Sequence, residues 1–353
     1  MNKLFTVYIV GILLLLCSCE QSKSGNTTRR DDFDSYVELK RVMRTHEDTL
    51  FLGRPMSITL LGGKLLIQDI YDDKTSTLVS TDFSESKRIL SRGLGPNEII
   101  GGYFLYPSSD GKTVTVYERG YNRVRTFEVD DFLEEHLTNP ISSSTINTGG
   151  LNLAPVGSNF IIGKPQKDLN LFSLIDDNGE TIDRFGTFPS EMMEGFETDD
   201  TFLHMQIQLL VSSNKEKNVA VAAGYMSDLL CFYQIDDKGN AELLNQYRTY
   251  DTELDLSFSE NGASAKYNDH TMDAYNSLYP TSAHLYALYR GCLMNSHKEH
   301  PYTYVQVFDW DGNFVKGYKL DAPVVDIAVD EDKGIIYGLY AGGDPHVRIY
   351  QMN

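Results

Sequence analysis

Positive charge is in deficit: 31 Lys and Arg stand against 50 Asp and Glu, for a formal charge of −19. A field of that sign repels phosphate backbones, and no basic cluster or RNA-binding aromatic motif interrupts it, so no nucleic-acid partner is expected and the charge is read as serving solubility. Cysteine is scarce, with four in all, at Cys17, Cys19, Cys231 and Cys292. No Cys-x-x-Cys pair or zinc-ligand spacing occurs, and neither a metal nor a cofactor is expected. A Gly-x-Ser-x-Gly nucleophile elbow is missing as well. So is long helical periodicity; at most short turns are expected near 132–137 and 191–196.

The longest apolar stretch, 4–16, follows Met1-Asn2-Lys3 and precedes Cys17-Ser18-Cys19. It falls short of the roughly 20 residues that span a bilayer and lacks amphipathic spacing, so a cleaved signal segment is expected. Leu16-Cys17-Ser18-Cys19 resembles the lipobox of bacterial lipoproteins, with Leu three places and a small residue one place before the Cys. The resemblance implies a signal peptide over 1–18 and a mature chain starting at Cys19. That cysteine would carry the acyl chains, palmitate among them, and hold the protein at the membrane, each buried methylene contributing about 0.8 kcal/mol. Residues 19–35 include Ser22, Ser24, Gly25, Asn26, Thr27 and Thr28 and almost nothing apolar, which predicts a flexible tether. The implied address is the cell envelope, as an outer-membrane lipoprotein on the periplasmic face or at the cell surface; Glu20, alone before Lys23, does not choose between them.

Over 36–353 short apolar runs alternate with Gly, Asp, Asn and Ser, the pattern of strands and turns. The runs recur at about 45 to 50 residues, the length of a four-stranded propeller blade. Six central strands are read at 64–69, 113–118, 160–162, 219–222, 284–289 and 335–339. The fold class is therefore all-β, a six-bladed β-propeller. Its last blade supplies only three strands, and 36–45 is expected to close the ring by pairing with it. Hairpin turns are read at Asp110-Gly111, Asp177-Asn178-Gly179, Asp237 to Asn240, Asp311-Gly312-Asn313 and Asp332 to Gly334. The stretch 309–313 has the look of a calcium loop but lacks the later glutamate, so a plain hairpin is expected there.

Arg92-Gly93-Leu94-Gly95-Pro96-Asn97-Glu98-Ile99 resembles the Gly-x-Gly-Pro-Gly-Glu-Phe signature between the first two blades of TolB-like six-bladed propeller lipoproteins of Bacteroides-type bacteria, with Asn97 for Gly and Ile99 for Phe. Tyr121 to Phe127 is similar to the Asn-Arg-Ile-x-x-Phe core of NHL-type propeller repeats. These resemblances imply a fold, an envelope address and a binding or scaffolding role. They imply no shared chemistry.

Candidate ligand-binding residues are those at the ends of the central strands: Asp69, Glu118, Arg119, Lys164, Tyr225, Arg290 and Tyr340. Equivalent strand ends should crowd one mouth of the axial channel, the usual propeller site, either as a pocket or as a ring of mutually neutralising charges. The 92–99 loop is read as a structural turn in which Glu98 caps nearby amides, over an anion cradle. The polar insertion 252–273 is read as a solvated loop, although Asp269, His270 and Asp273 carry ligand-type groups. Cys231 and Cys292 sit in apolar runs and are read as buried filler, a bridge between them being the alternative. The preferred function is a noncatalytic envelope module binding a protein, peptide or glycan. The alternative is a hydrolase or lyase at the channel mouth, metal-assisted, with Glu118, Lys164 and Arg290 near the chemistry.

Overall fold

The computed structural model describes residues 26–28, 33, 36–42, 50–108, 110–135, 137, 139–146, 152–163, 170–187, 208–248, 254–259 and 262–352. Six antiparallel sheets follow one another along the chain. Blade one comprises Pro55–Leu61, Lys64–Asp69, Lys74–Ser80 and Ser86–Ser91. Blade two runs from Tyr103–Pro107 through Thr113–Glu118 and Arg123–Glu128 to Ser142–Thr145, and blade three from Leu153–Val156 through Asn159–Gly163 and Asn170–Ile175 to Thr181–Thr187. Blade four holds Leu209–Asn214, Val219–Gly224, Leu230–Ile235 and Ala241–Tyr247, and blade five Met272–Pro280, His284–Leu293, Thr303–Asp309 and Phe314–Leu320. Blade six has three strands, Asp326–Asp330, Ile335–Tyr340 and His346–Gln351.

The strands are apolar on both faces, and the alternation of a strand sends successive side chains to opposite neighbours. In the second strand of blade four, Val219, Val221 and Ala223 pack toward blade five, whereas Ala220 and Ala222 pack toward blade three. Leu66 of blade one joins the core shared with blade two, while Leu65 and Ile67 join the core shared with blade six. Six such cores occupy the six spaces between neighbouring blades among the described residues, including the space between blade six and blade one. The ring is closed.

Turn chemistry repeats with the blades. In blades three, four and five the third and fourth strands are joined by turns opening on Asp176, Asp236 and Asp309, and each carboxylate accepts the amides two and four residues on at 2.8–3.1 Å. Those amides hold the Asp176 carboxyl below the usual carboxylate range, and the Asn240 side chain, with the Asn240 amide, does the same for Asp236. Gly312 completes the third of these turns at a φ of 83°, where a side chain would also run into Phe232 and Asn245 of blade four. The calcium-like stretch is thus a plain hairpin.

The N-terminal segment differs in detail from a fourth strand for blade six. Val37–Leu39 runs parallel to Phe314–Leu320, as a fifth strand on blade five. It reaches blade six through one antiparallel bridge, Arg41 with Tyr350, and the Val42 amide donating to the Ile349 carbonyl at 2.8 Å. The apolar pattern explains this: of the three strand residues only Leu39 is buried, in the core between blades five and six. Earlier residues, expected as tether, also touch the ring. Asn26–Thr28 pairs with Ala241–Tyr247 of blade four, and the Phe33 ring stacks on Phe314 with centroids 4.0 Å apart.

The insertion read as a loop contains a two-stranded hairpin, Leu254–Ser259 with Gly262–Tyr267. The short helix of blade two, Val129–Phe132, comes one turn earlier than expected; 191–196 lies outside the described residues. Among the described residues no helix is long and apolar enough to cross a membrane.

Tyr36 fixes the N-terminal strand by lying flat over the backbone of Gly317, where a Cβ would strike its ring, while Gln306 donates to its hydroxyl at 2.9 Å. Gly317→Ala should lower stability by about 1–3 kcal/mol in urea unfolding. Gly343→Ala, with open space around it, should not. In a Tyr36→Ala background the cost of Gly317→Ala should vanish; an undiminished cost would remove Tyr36 as its cause.

Candidate functional site

Ring closure points the first strand of every blade at the axis, around a cavity of about 1170 Å³. The strands read from sequence as central are the second strands, one position farther out. Their ends therefore sit beside the axis rather than on it, and among the described candidates only Arg119 lines the channel.

Asp69 and Glu118 are fully buried and do the same job in adjacent blades. The Gly53 and Arg54 amides, at the entry to blade one, donate to Asp69 at 3.0 and 2.5 Å. The Ile100 amide, at the entry to blade two, donates to Glu118 at 3.2 Å. Each carboxylate is neutralised by arginine from its own blade. Arg88 approaches Asp69 to 3.8 Å and grips Asp72 at 2.6 Å; Arg123 and Arg125 both reach Glu118 at 2.7 Å.

Arg125 has a second task. Its other nitrogens donate to the carbonyls of Pro96 and Glu98 at 2.8 and 2.7 Å, so the 92–99 loop is held from blade two through its backbone. Glu98 in turn accepts the Gly95 amide at 2.8 Å, and Arg92 bridges Ile99 across the loop neck. The loop is a clamped turn in which Glu98 caps an amide.

The remaining candidates are dispersed. Arg119 is exposed, its guanidinium 5.9 Å from the Phe104 ring. Arg290 is buried and donates to the Tyr302 carbonyl at 2.7 Å. Tyr225 is half-buried, its phenol pushed up by burial and then by the nearby Asp273 and Tyr267. Arg348 stacks over Tyr340 at 5.3 Å on blade six. Lys164 lies outside the described residues. Of these, Tyr225 and Arg290 come near one another only through Asp273, whose carboxyl burial pushes up and which sits 2.9 Å from His297. Asp273 belongs to the first strand of blade five, apart from Asp269, which accepts the Asn295 amide at 2.8 Å. Among the described residues no three His, Cys, Asp or Glu side chains stand close enough to share a metal ion. Cys231 and Cys292 are both free and buried, Cys231 in the core between blades three and four and Cys292 on blade five.

The channel wall itself carries groups that the strand-end reasoning missed. Asp326, at the start of blade six, accepts the Ile58 amide of blade one at 2.8 Å and the Ile327 amide at 2.9 Å. Burial pushes its carboxyl up to about 6, against the pull of Ser277 and those amides. Tyr279 accepts the Leu60 amide at 3.4 Å, and burial pushes its phenol up to about 12. Ser57, Ser212, Asn276 and Ser277 add uncharged donors and acceptors, set between Ile58, Leu210 and Leu278. Toward the opposite mouth Glu331 accepts the Tyr286 hydroxyl at 3.0 Å and meets His284 at 2.5 Å, tying blade six to blade five. The signal for such residues was present as polar interruptions of apolar runs, such as Asp326 between Val325 and Ile327; a carboxylate set in such a run needs hydrogen-bond partners.

A model of the TolB-like 6-blade propeller-like family matches residues 32–332. The chain belongs to that family. Solved structures similar to this TolB-like chain include a Bacteroides fragilis NCTC 9343 protein taken to be exported (11% identity, TM-score 0.49, covering 90% of this chain and 99% of that one). A member of the DUF4221 family from Bacteroides vulgatus matches at 13% identity and a TM-score of 0.47, over 86% and 92% of the two chains. The β-propeller domain of Cps50 (Swd1) from Myceliophteria thermophila matches at 11% and 0.48, over 86% and 98%. Among curated proteins none matches the sequence.

Two measurements check the roles of the buried acids. Glu118→Gln strips the charge that two arginines share and should cost about 3–5 kcal/mol in chemical denaturation, whereas Arg119→Ala should stay within about 0.5. For Asp326 the folded value of about 6 exceeds the ordinary 3.8. The folded state thus keeps a proton that the unfolded chain has lost, so this group favours folding below the lower value and that gain is lost as pH rises through the upper one. The stability of the wild type relative to Asp326→Asn should fall between about pH 4 and 7; a flat difference would contradict it.

Proposed function

We propose that this chain is a noncatalytic, lipid-anchored binding module of the cell envelope whose axial channel holds a hydroxyl-rich ligand of glycan type. One observation carries the reading: a cavity of about 1170 Å³, walled by all six blades, in which Ser57, Ser212, Asn276, Ser277 and Tyr279 stand among apolar side chains, with charged groups of both signs such as Lys112, Arg119 and Glu331 also on the wall. That lining suits a ligand with many hydroxyls and apolar ring faces, its hydroxyls meeting the Ser, Asn and charged groups alike, and the volume exceeds what a single small metabolite fills. The binding or scaffolding role agrees with the family's fold. Of Glu118, Lys164 and Arg290, the groups considered for chemistry at the mouth, Glu118 and Arg290 are buried and hydrogen-bonded on different blades, and Lys164 lies outside the described residues.

The anchor rests on Leu16-Cys17-Ser18-Cys19, and the envelope address, at the outer membrane with the propeller on the periplasmic or outer side, follows from it. The test has two arms. Neutral oligosaccharides screened by thermal shift should raise the melting temperature of the wild type, and Leu278→Trp, which fills the channel, should abolish the shift. Metabolic labelling with an alkyne fatty acid should mark the wild type and spare Cys19→Ser. A screen without any shift, or shifts untouched by Leu278→Trp, would overturn the channel reading; equal labelling of Cys19→Ser would overturn the anchor.

A further inference from the structure

A second hollow, of about 580 Å³, opens between blades one and two, next to the axial channel. Its floor is the 92–102 segment, and its walls include Arg54, Met56, Ile70, Arg92, Leu94 and Tyr121. Met56 and Gly102 line both the hollow and the channel, so the two are continuous at that mouth.

The surface around it is unusual in two respects. Exposed apolar side chains gather here: Leu94 is 57% exposed, Tyr121 51% and Met56 48%. Close by on the chain to Arg54 and Ile70, Phe51, 71% exposed, meets Tyr71 edge-on with centroids 5.4 Å apart. Single exposed apolar residues are ordinary; a contiguous group marks a surface that something covers. The second respect is charge. In a chain of −19, Arg54 and Arg92 are exposed, and neither pairs with a carboxylate among the described residues. Neighbouring acids are taken up: Asp69 by the amides at 53 and 54, Asp72 by Arg88, Glu98 by the Gly95 amide. Exposed Asp73, whose carbonyl accepts the Arg92 amide at 2.8 Å, is a carboxylate beside the pair that is not taken up in this way.

The floor is also rigid. Arg125 grips two of its carbonyls, and glycine at 93 lets the Glu98 carboxylate lie where a Cβ would be. A surface already ordered before it binds loses less freedom on binding. Aromatic, Met and Arg side chains over a fixed backbone are the composition of a protein-binding patch. An anionic bilayer fits less well, because it selects a broad polybasic face and this chain is strongly acidic.

We propose that this hollow docks an extended acidic segment of a partner protein, with carboxylates on Arg54 and Arg92 and an apolar side chain held among Met56, Leu94 and Tyr121. The site adjoins the channel through Met56 and Gly102, but its arginines and Leu94 lie outside the channel lining, and the proposal does not rest on a glycan-type ligand there.

Fluorescence anisotropy with two labelled peptides tests it: one alternating Glu with Leu and Phe, the other with Lys in place of every Glu. The acidic peptide should bind and weaken as salt rises, and the basic one should not bind. Arg54→Glu and Arg92→Glu should each weaken binding about tenfold, Leu94→Ser should weaken it too, and Leu278→Trp in the channel should leave it unchanged. All four changes fall on exposed or channel-facing side chains, and equal melting temperatures would show that they leave the fold intact. No binding of the acidic peptide, equal binding of both, indifference to the arginine changes or loss in Leu278→Trp alone would each overturn the proposal. So would arginine-dependent binding to phosphatidylglycerol vesicles with none to the peptide.

Discussion

No blade of this protein can stand alone, because each sheet is apolar on both faces. A single sheet with one wet face could end the array wherever it liked; a sheet such as blade four, with Val221 turned one way and Ala222 the other, needs two neighbours. Five spaces between blades would leave two bare faces, and the sixth space, where Leu65 and Ile67 meet Ile336's neighbours Ile335 and Tyr337, removes both. Ring closure is thus a hydrophobic requirement before it is a matter of strand exchange. The N-terminal segment covers outer edges of blades four, five and six, yet the closing interface between six and one is made by side chains.

Directional contacts then fix how each interface is set. Gln68 donates to the Tyr103 carbonyl between blades one and two at 3.0 Å, Asn152 to the Leu209 carbonyl between three and four at 2.8 Å, and Glu331 gathers Tyr286 from blade five. Between six and one the task falls to Asp326 and the Ile58 amide. A half-buried carboxylate at the closing seam couples ring geometry to proton binding, and it stands in the channel wall, so whatever occupies the channel meets the group that joins the last blade to the first.

Much of this was legible in the sequence. The repeat, the Asp-initiated hairpins and the signature loop need only local patterning, and each is present in the structure. Register within the blade was harder. The strands with the strongest apolar runs, such as Val219–Gly224 and Ile335–Tyr340, read as the innermost, but they are second strands, buried on both sides by neighbouring blades. The true inner strands are more polar, as in Leu209–Asn214 with Ser212, Ser213 and Asn214, because they face a water-accessible channel. Hydrophobicity ranks burial, and burial here peaks away from the axis. Residues 37–39 of the N-terminal segment pair one blade short of the expected edge, which Arg41 and Val42 do reach, for a related reason: three residues with one buried side chain carry too little pattern to choose between adjacent edges.

The same shift explains the fate of the charged strand ends. A second strand ends where the chain re-enters its own blade, and that entry brings unpaired amides, at 53, 54 and 100, into a buried place. A carboxylate is the side chain that can accept several of them, and arginine is the one that can neutralise it while reaching carbonyls beyond, as Arg125 does at 96 and 98. Charge at Asp69 and Glu118 therefore answers a backbone need. By absorbing its neighbours' polarity, the network leaves Arg54, Arg92 and Leu94 exposed over a loop whose carbonyls Arg125 holds, so the buried ion pairs around Glu118 fix the backbone beneath that surface.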